Sequence, residues 1–177
     1  MTAPPQVRRA VPADAPDLLR LRILMMQAIG AAVGDETAPW RVNATDWFTR
    51  ALHDPGTFAA FVVEDPRHGI VSNAAGLCER FVPGPKDPTG LRGHVFNVST
   101  DPDARGRGYA RACLTALLDW FADETQVSVV DLNATAGGER LYRSLGFAPP
   151  RYPALQLRRV RMSGRAPGPG RPGDDSR

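Results

Sequence analysis

The spacing of apolar residues along the chain alternates between strand and helix periods. Apolar, β-branched runs predict six β-strands, at residues 6–11, 57–65, 70–82, 95–100, 127–132 and 151–160. Apolar residues at helical spacing predict four α-helices, at residues 15–30, 45–52, 109–121 and 136–145. This order of elements predicts a mixed α/β (α+β) protein.

Length and composition indicate one domain. A chain of 177 residues with 42% hydrophobic content can bury one sizeable core. We expect the domain to span residues 1–162. Residues 163–177 are rich in Gly, Pro and Arg and offer nothing that a core could bury, so they are predicted to form a disordered tail.

The stretch from His94 to Arg111 combines a strand, a glycine-rich turn and the start of a helix. Such a turn leaves several backbone N–H groups unpaired at the positive end of the helix dipole. Phosphate is the ligand that such groups bind. Glycines at positions 106 and 108 let the backbone approach an anion closely, and nearby arginines add positive charge. The sequence therefore predicts a site for a polyanion.

Two common phosphate motifs are missing from this turn. No Gly-Lys-Ser/Thr follows the glycines, which excludes a P-loop, and Arg111 stands where the dinucleotide fingerprint needs Gly or Ala. Two alternatives stay open from the residues alone. The turn is either simply solvated, or it is a basic segment that touches nucleic acid, although the lack of interleaved aromatic residues disfavours nucleic acid.

The turn resembles the acetyl-CoA signature of the GNAT superfamily of N-acyltransferases. That signature is Gln or Arg, two residues, Gly, one residue, then Gly or Ala, and Arg105, Gly108 and Ala110 meet it. A second block, in which Leu141-Tyr142 precedes Leu145-Gly146-Phe147, resembles another signature of the same family. The resemblance implies a GNAT fold, with a mixed, mostly antiparallel central sheet flanked by helices. It also implies acetyl-CoA as cosubstrate and an amine as acceptor.

By this resemblance, acetyl-CoA contacts the central strand, the turn and the end of the following strand. Main-chain N–H groups of the strand would stabilise charge on the thioester carbonyl and pair with the pantetheine arm. The implied residues are Val98, Ser99, Thr100, Arg105, Gly106, Arg107, Gly108, Tyr109, Ala110, Arg111 and Asn133.

Acyl transfer to an amine needs a base and a proton donor for the leaving thiolate. The resemblance assigns Tyr142 as the donor, through a hydrogen bond or a full proton transfer. His94 occupies about the place where some family members have a base carboxylate, and histidine titrates near neutral pH. Glu79, or water linked to either residue, is the alternative base. For His94 and Glu79, a purely structural role stays open.

The helix–loop–helix region near the N-terminus forms the acceptor wall in GNAT proteins. By resemblance, Asp35, Glu36 and Trp40 would face the substrate, and the two carboxylates would favour a cationic amine. The alternative is an exposed acidic loop anchored by one aromatic residue.

Charge and cysteine content restrict the remaining choices. Lys and Arg exceed Asp and Glu by three, which suits an anionic cosubstrate without requiring nucleic acid. Cys78 and Cys113 each lie inside a predicted element, which favours reduced core thiols over a disulfide or a metal site. Without an apolar leader or an 18-residue apolar run, we expect a cytoplasmic protein with no membrane partner.

The predicted function is transfer of an acetyl group from acetyl-CoA to a primary amine of a small molecule or protein. The alternative is a catalytically inactive GNAT module that binds CoA as a sensor or scaffold. A homodimer stays open, and no metal is expected.

Overall fold

In the computed structural model, which describes residues 6–157, the chain divides after Gly146 into two units. Within residues 6–157, the helices and strands all lie in the first unit. Its strands are β1 (Gln6–Arg9), β2 (Phe58–Asp65), β3 (Gly69–Arg80), β4 (Leu91–Thr100) and β5 (Val129–Leu132). Its helices are α1 (Ala15–Ala28), α2 (Pro39–Ala51), α3 (Tyr109–Glu124) and α4 (Glu139–Ser144).

The five strands form one sheet in the order β1-β2-β3-β4-β5. Neighbours among β1 to β4 pair antiparallel, whereas β5 pairs parallel to β4 because α3 carries the chain back across the sheet. This arrangement confirms the predicted mixed, mostly antiparallel sheet.

The helices cover both faces of the sheet. On one face, Phe121 of α3 lies so close to Gly93 and Gly76 that a Cβ at either glycine would come within 2.8 Å of its ring. On the opposite face, α1 packs on β4 and α2 packs on α1. A buried apolar cluster between β2, α1 and α2 includes Leu18 and Phe48.

A β-bulge interrupts β4 at Asn97. The register with β3 shifts there, and Asn97 has a φ of 50°, a left-handed conformation that Asn tolerates better than most residues. The bulge turns two successive side chains toward the same helical layer. Phe96 contacts Trp47 of α2, and the Asn97 amide donates to the Leu18 carbonyl of α1 at 3.3 Å.

Several predicted elements differ from the structure at their ends. Strand β4 begins at Leu91 rather than residue 95, so His94 lies inside the strand. Helix α2 begins at Pro39 rather than residue 45, because proline at the first helical position is already in helical geometry. Helix α4 begins at Glu139, after Gly137 and Gly138, which weaken a helix. No strand forms over residues 151–157, and the rest of that predicted strand and the predicted tail lie outside the described residues.

Candidate active site

The glycine turn, residues 104–111, presents free donors at the start of α3. Gly106 and Gly108 have φ of 75° and 80°, and Gly108 is the N-cap of the helix. The N–H groups of Gly106, Arg107 and Gly108 make no hydrogen bond to another described residue. The first-turn N–H groups of α3 lack helical partners as well. The turn lines a cavity of about 220 Å³ that reaches from Thr100 to Leu141.

The three arginines of the turn are exposed, and each side chain donates a hydrogen bond to a backbone carbonyl or a side-chain hydroxyl. Arg105 Nε donates to the Thr100 carbonyl at 3.2 Å, and an Arg107 Nη donates to the Asp103 carbonyl at 3.2 Å. An Arg111 Nη donates to Ser144 Oγ at 2.6 Å. None of these three guanidiniums forms an ion pair within the described chain, although Arg107 lines a cavity that Asp101 and Asp103 also line. Arg105 and Arg111 therefore keep the cavity of the glycine turn positively charged.

The strand that leads into the turn has one open edge. The parallel ladder between β4 and β5 ends at the pair Val95 and Leu132. Among residues 6–157, Val98, Ser99 and Thr100 therefore have no strand partner on the β5 side, although Ser99 and Thr100 still pair with β3 on the other side. An extended chain with amide groups can enter such a gap by strand addition.

Helix α4 lies beside the turn. The hydrogen bond between Arg111 and Ser144 joins α3 to α4, and Leu141 lines the cavity of the glycine turn. Tyr142 follows Leu141, and its ring packs over Gly138, where a Cβ would come within 2.9 Å of it. Burial raises the pKa of the Tyr142 hydroxyl above its ordinary value of 10.0, so the group is protonated at neutral pH.

The remaining residues of the predicted acetyl-CoA site lie in two places. Tyr109 and Ala110 line the cavity of the glycine turn, whereas Asn133 is exposed directly after β5. Most of the predicted residues thus lie in one region around the turn and the open edge of β4.

His94 lies on the opposite face of the sheet from α3, in a second cavity of about 340 Å³. The His94 ring stacks on Phe96, with centroids 6.3 Å apart and an interplanar angle of 16°. Leu77, its register partner on β3, also lines this cavity. We call this space the His94 cavity.

Glu79 lies outside the His94 cavity. It is exposed near the end of β3, where it pairs in register with Arg92. A base role for either His94 or Glu79 stays a prediction, but only His94 lines a cavity.

The predicted acceptor residues lie together before and at the start of α2. Asp35 is exposed and accepts hydrogen bonds from the Thr37 hydroxyl and N–H, which lower the pKa of its carboxyl. Glu36 is also exposed. Trp40 Nε1 donates to the Val33 carbonyl at 2.9 Å, so this aromatic residue anchors the loop. None of the three lines the His94 cavity, and their acceptor role stays a prediction.

Sequence reasoning missed the walls of the His94 cavity. Arg22 of α1, Trp47 of α2 and Phe96 of β4 line it. Trp47 is 40% exposed and its ring lies 5.8 Å from that of Phe96. One signal was present in the sequence, since Arg22 follows Leu18 by one helical turn on the face that otherwise carries apolar residues.

Two further findings concern metals and membranes. Within residues 6–157, no group of three or more His, Cys, Asp or Glu side chains could hold a metal ion. No helix in that part of the chain is long and apolar enough to cross a membrane.

Several solved structures share the fold. A predicted acetyltransferase from Clostridium acetobutylicum, determined with acetyl-CoA, aligns with a TM-score of 0.75 and 23% identity over 86% of this chain and 95% of its own. A GCN5-related N-acetyltransferase from Ralstonia eutropha aligns with a TM-score of 0.71 and 24% identity over 86% and 97%. The ribosomal-protein-alanine N-acetyltransferase of Brucella melitensis gives 0.60 and 20% over 88% and 99%.

At the level of sequence, no curated protein matches the chain significantly. The model of the acetyltransferase (GNAT) family matches residues 26–147, more than half of the chain. That match includes β4, the glycine turn, α3 and α4, which are the elements that build the site. The chain therefore belongs to the GNAT family of acetyltransferases.

Proposed function

We propose that this protein transfers an acetyl group from acetyl-CoA to an amine held in the His94 cavity, by direct attack of the amine on the thioester. One observation carries the proposal. The free N–H groups of the glycine turn adjoin the open edge of β4, and the His94 cavity lies on the same strand.

The glycine turn fits a diphosphate. A Cβ built at Gly106 or Gly108 would meet nothing within 4 Å, so the space in front of these glycines is open to a ligand. Unpaired N–H groups at a helix N-terminus bind anions through hydrogen bonds and the helix dipole. Arg105 and Arg111 line the same cavity and supply further positive charge. Arg107 lines a neighbouring cavity, so its side chain would have to turn to reach the diphosphate.

The open edge of β4 fits the amide-containing arm of CoA. Val98 and Thr100 would pair with these amides as a neighbouring strand does. A main-chain N–H at Val98 or Ser99 would donate to the thioester carbonyl oxygen, where negative charge grows during attack. A preorganised donor of this kind contributes about 3 kcal/mol to catalysis.

The chemistry needs one proton removed and one supplied. The amine nitrogen forms a bond to the carbonyl carbon, the carbon–sulfur bond breaks, and the thiolate receives a proton. His94 would accept the amine proton, directly or through water, since its imidazole is the group in the lining of that cavity that can act as a general base. Tyr142, which burial keeps protonated, would donate a hydrogen bond to the thiolate, and the thiolate would then take a proton from Tyr142 or from solvent, which balances the proton that His94 accepts.

Two measurements test this function. Acetyl-CoA should raise the melting temperature, and CoA should compete with it; no shift at millimolar ligand would contradict the proposal. Release of free thiol from acetyl-CoA should then depend on an added amine. The panel should contain polyamines, aminoglycosides, amino acids and peptides.

A second candidate function is a GNAT module that binds CoA as a sensor or scaffold. Glu79 and the two carboxylates of the acidic loop are exposed, so none of them is a buried catalytic base. A module that binds CoA without catalysis needs no such base. Ligand-induced stabilisation without thiol release on any amine would support this second function over the first.

A further inference from the structure

The His94 cavity is an aromatic space with one fixed cation. Its walls are Ala44, Trp47, Phe48, Leu77, His94 and Phe96, and Arg22 is the residue in the lining with a permanent charge. Among the residues that the structure describes, no carboxylate belongs to the lining. A protonated amine that entered this cavity would meet Arg22 without a compensating acid.

Arg22 differs from the other half-buried arginines of the described chain. Arg8 is paired with Asp14 at 2.7 Å, Arg9 with Glu124 at 2.9 Å, and Arg41 donates to the Gly34 carbonyl at 2.7 Å. The side chain of Arg22 makes no hydrogen bond or ion pair within residues 6–157. Burial lowers the pKa of the Arg22 guanidinium, because removal from water disfavours the charged form and no neighbouring carboxylate restores it.

A half-buried charge without a partner is unfavourable. A ligand that brings an anionic group to Arg22 would form the ion pair that the described chain does not supply, and its binding would be strengthened by that pair. The guanidinium presents a planar fork of N–H donors that matches a carboxylate with two parallel hydrogen bonds. A single fork surrounded by aromatic walls suits one carboxylate on an apolar body better than a polyanion.

The backbone of Arg22 is tied to the bulge of β4. The Leu18 carbonyl accepts the Asn97 side-chain amide, and in a regular helix the same carbonyl accepts the N–H of residue 22. The Leu18 carbonyl thus links the backbone at residue 22 to Asn97 of the bulge. This places the charge of Arg22 on the acceptor side of the strand that also carries His94 and Phe96.

We propose that the acceptor is a primary amine that carries a carboxylate and an apolar or aromatic body, and that Arg22 binds its carboxylate in the His94 cavity. This inference rests on the proposed function, because it identifies the substrate class of the same site. Trp47 and Phe96 would hold the apolar body, and His94 would face the amine.

The experiment compares matched ligands that differ only at the carboxylate. Phenylalanine and leucine are compared with their amides, both as acceptors in thiol release and as ligands in titrations of tryptophan fluorescence, with and without CoA. The variants are Arg22→Gln and, as a control for net charge, Arg67→Gln, which changes an exposed arginine in the β2–β3 turn. A Trp47→Phe variant checks that the fluorescence change comes from the cavity.

The wild type and Arg67→Gln should prefer the acid over the amide by about tenfold or more in Kd and in kcat/KM, the size of one charge-assisted hydrogen-bond pair. Arg22→Gln should remove that preference and keep the melting temperature shift with acetyl-CoA. Equal binding of acid and amide to the wild type, or an undiminished preference in Arg22→Gln, would overturn the inference. Preferred binding of the acid without thiol release would uphold the carboxylate-binding site at Arg22 and contradict the acetyl-transfer function.

Discussion

Replacement of Gly108 by alanine separates the backbone role of the glycine turn from its role in binding. Gly108 has a φ of 80° and nothing within 4 Å of a built Cβ, so the substitution meets no protein atom. A residue with a side chain pays about 1–2 kcal/mol for left-handed geometry. Part of that loss is offset because alanine restricts the unfolded chain, so we expect a net loss of about 1 kcal/mol.

Gly30 provides a matched control. Its φ is 77°, and a Cβ there also meets nothing within 4 Å, but it lies just after α1 and away from the glycine turn. Gly30→Ala and Gly108→Ala should therefore lower the melting temperature by a similar amount, about 2–4 °C for a domain of this size. Only at position 108 does the added methyl group occupy the space proposed for the diphosphate.

The two variants should differ in affinity for CoA. Hydrogen bonds to charged groups contribute about 1.5–3 kcal/mol each, so displacing the diphosphate from one N–H should weaken CoA binding by about tenfold or more. Calorimetric titration with CoA measures this, and pantetheine, which lacks the diphosphate, should bind both variants equally. Equal CoA affinity of Gly30→Ala and Gly108→Ala would refute a diphosphate at the turn.

Three further predictions concern catalysis, pH and packing. Tyr142→Phe should lower kcat by about a hundredfold with the Kd for acetyl-CoA unchanged; an unchanged kcat in steady-state assays would discard its role. Burial opposes ionisation of Asp14, but hydrogen bonds from Arg8 and the backbone outweigh it and hold the pKa of its carboxyl below 3.8. The pair therefore stabilises the fold at neutral pH and is lost as the pH falls through that lowered pKa, so melting temperatures should fall more steeply below pH 4 in the wild type than in Asp14→Asn. Gly93→Ala would place a Cβ 2.7 Å from Phe121 Cε1 and should lower the free energy of unfolding by about 1–3 kcal/mol, with partial rescue by Phe121→Leu in denaturant titrations.

The glycine turn could be identified from sequence because its chemistry is local. Strand, turn and helix follow one another within the residues 94–111, and both glycines adopt the positive φ that makes them necessary there. The mixed sheet was likewise predictable. Apolar periodicity indicated the strands, and the family signatures, each made of neighbouring residues, implied the sheet that they form. The parallel pairing of β5 in an otherwise antiparallel sheet agrees with the predicted mixed sheet.

Errors at the element ends have local causes as well. The apolar pattern predicts a helix only from residue 45. The fixed φ of Pro39 lets it begin α2 earlier, which brings Trp40 into the helix. The shorter α4 follows from Gly137 and Gly138, whose flexibility disfavours helix more than the neighbouring apolar residues favour it.

The His94 cavity was decided by tertiary structure. Its walls come from α1, α2, β3 and β4, and a sequence does not reveal which side chains of four separate elements converge. The bulge at Asn97 turns Phe96 and Asn97 toward the same layer, which strict alternation along a strand would not predict. Sequence alone thus predicted the turn that we propose as an anion site, because that turn is built from consecutive backbone groups. Only the packing of distant helices on the sheet placed the unpaired cation of Arg22 among aromatic rings, because burial is a property of the folded chain.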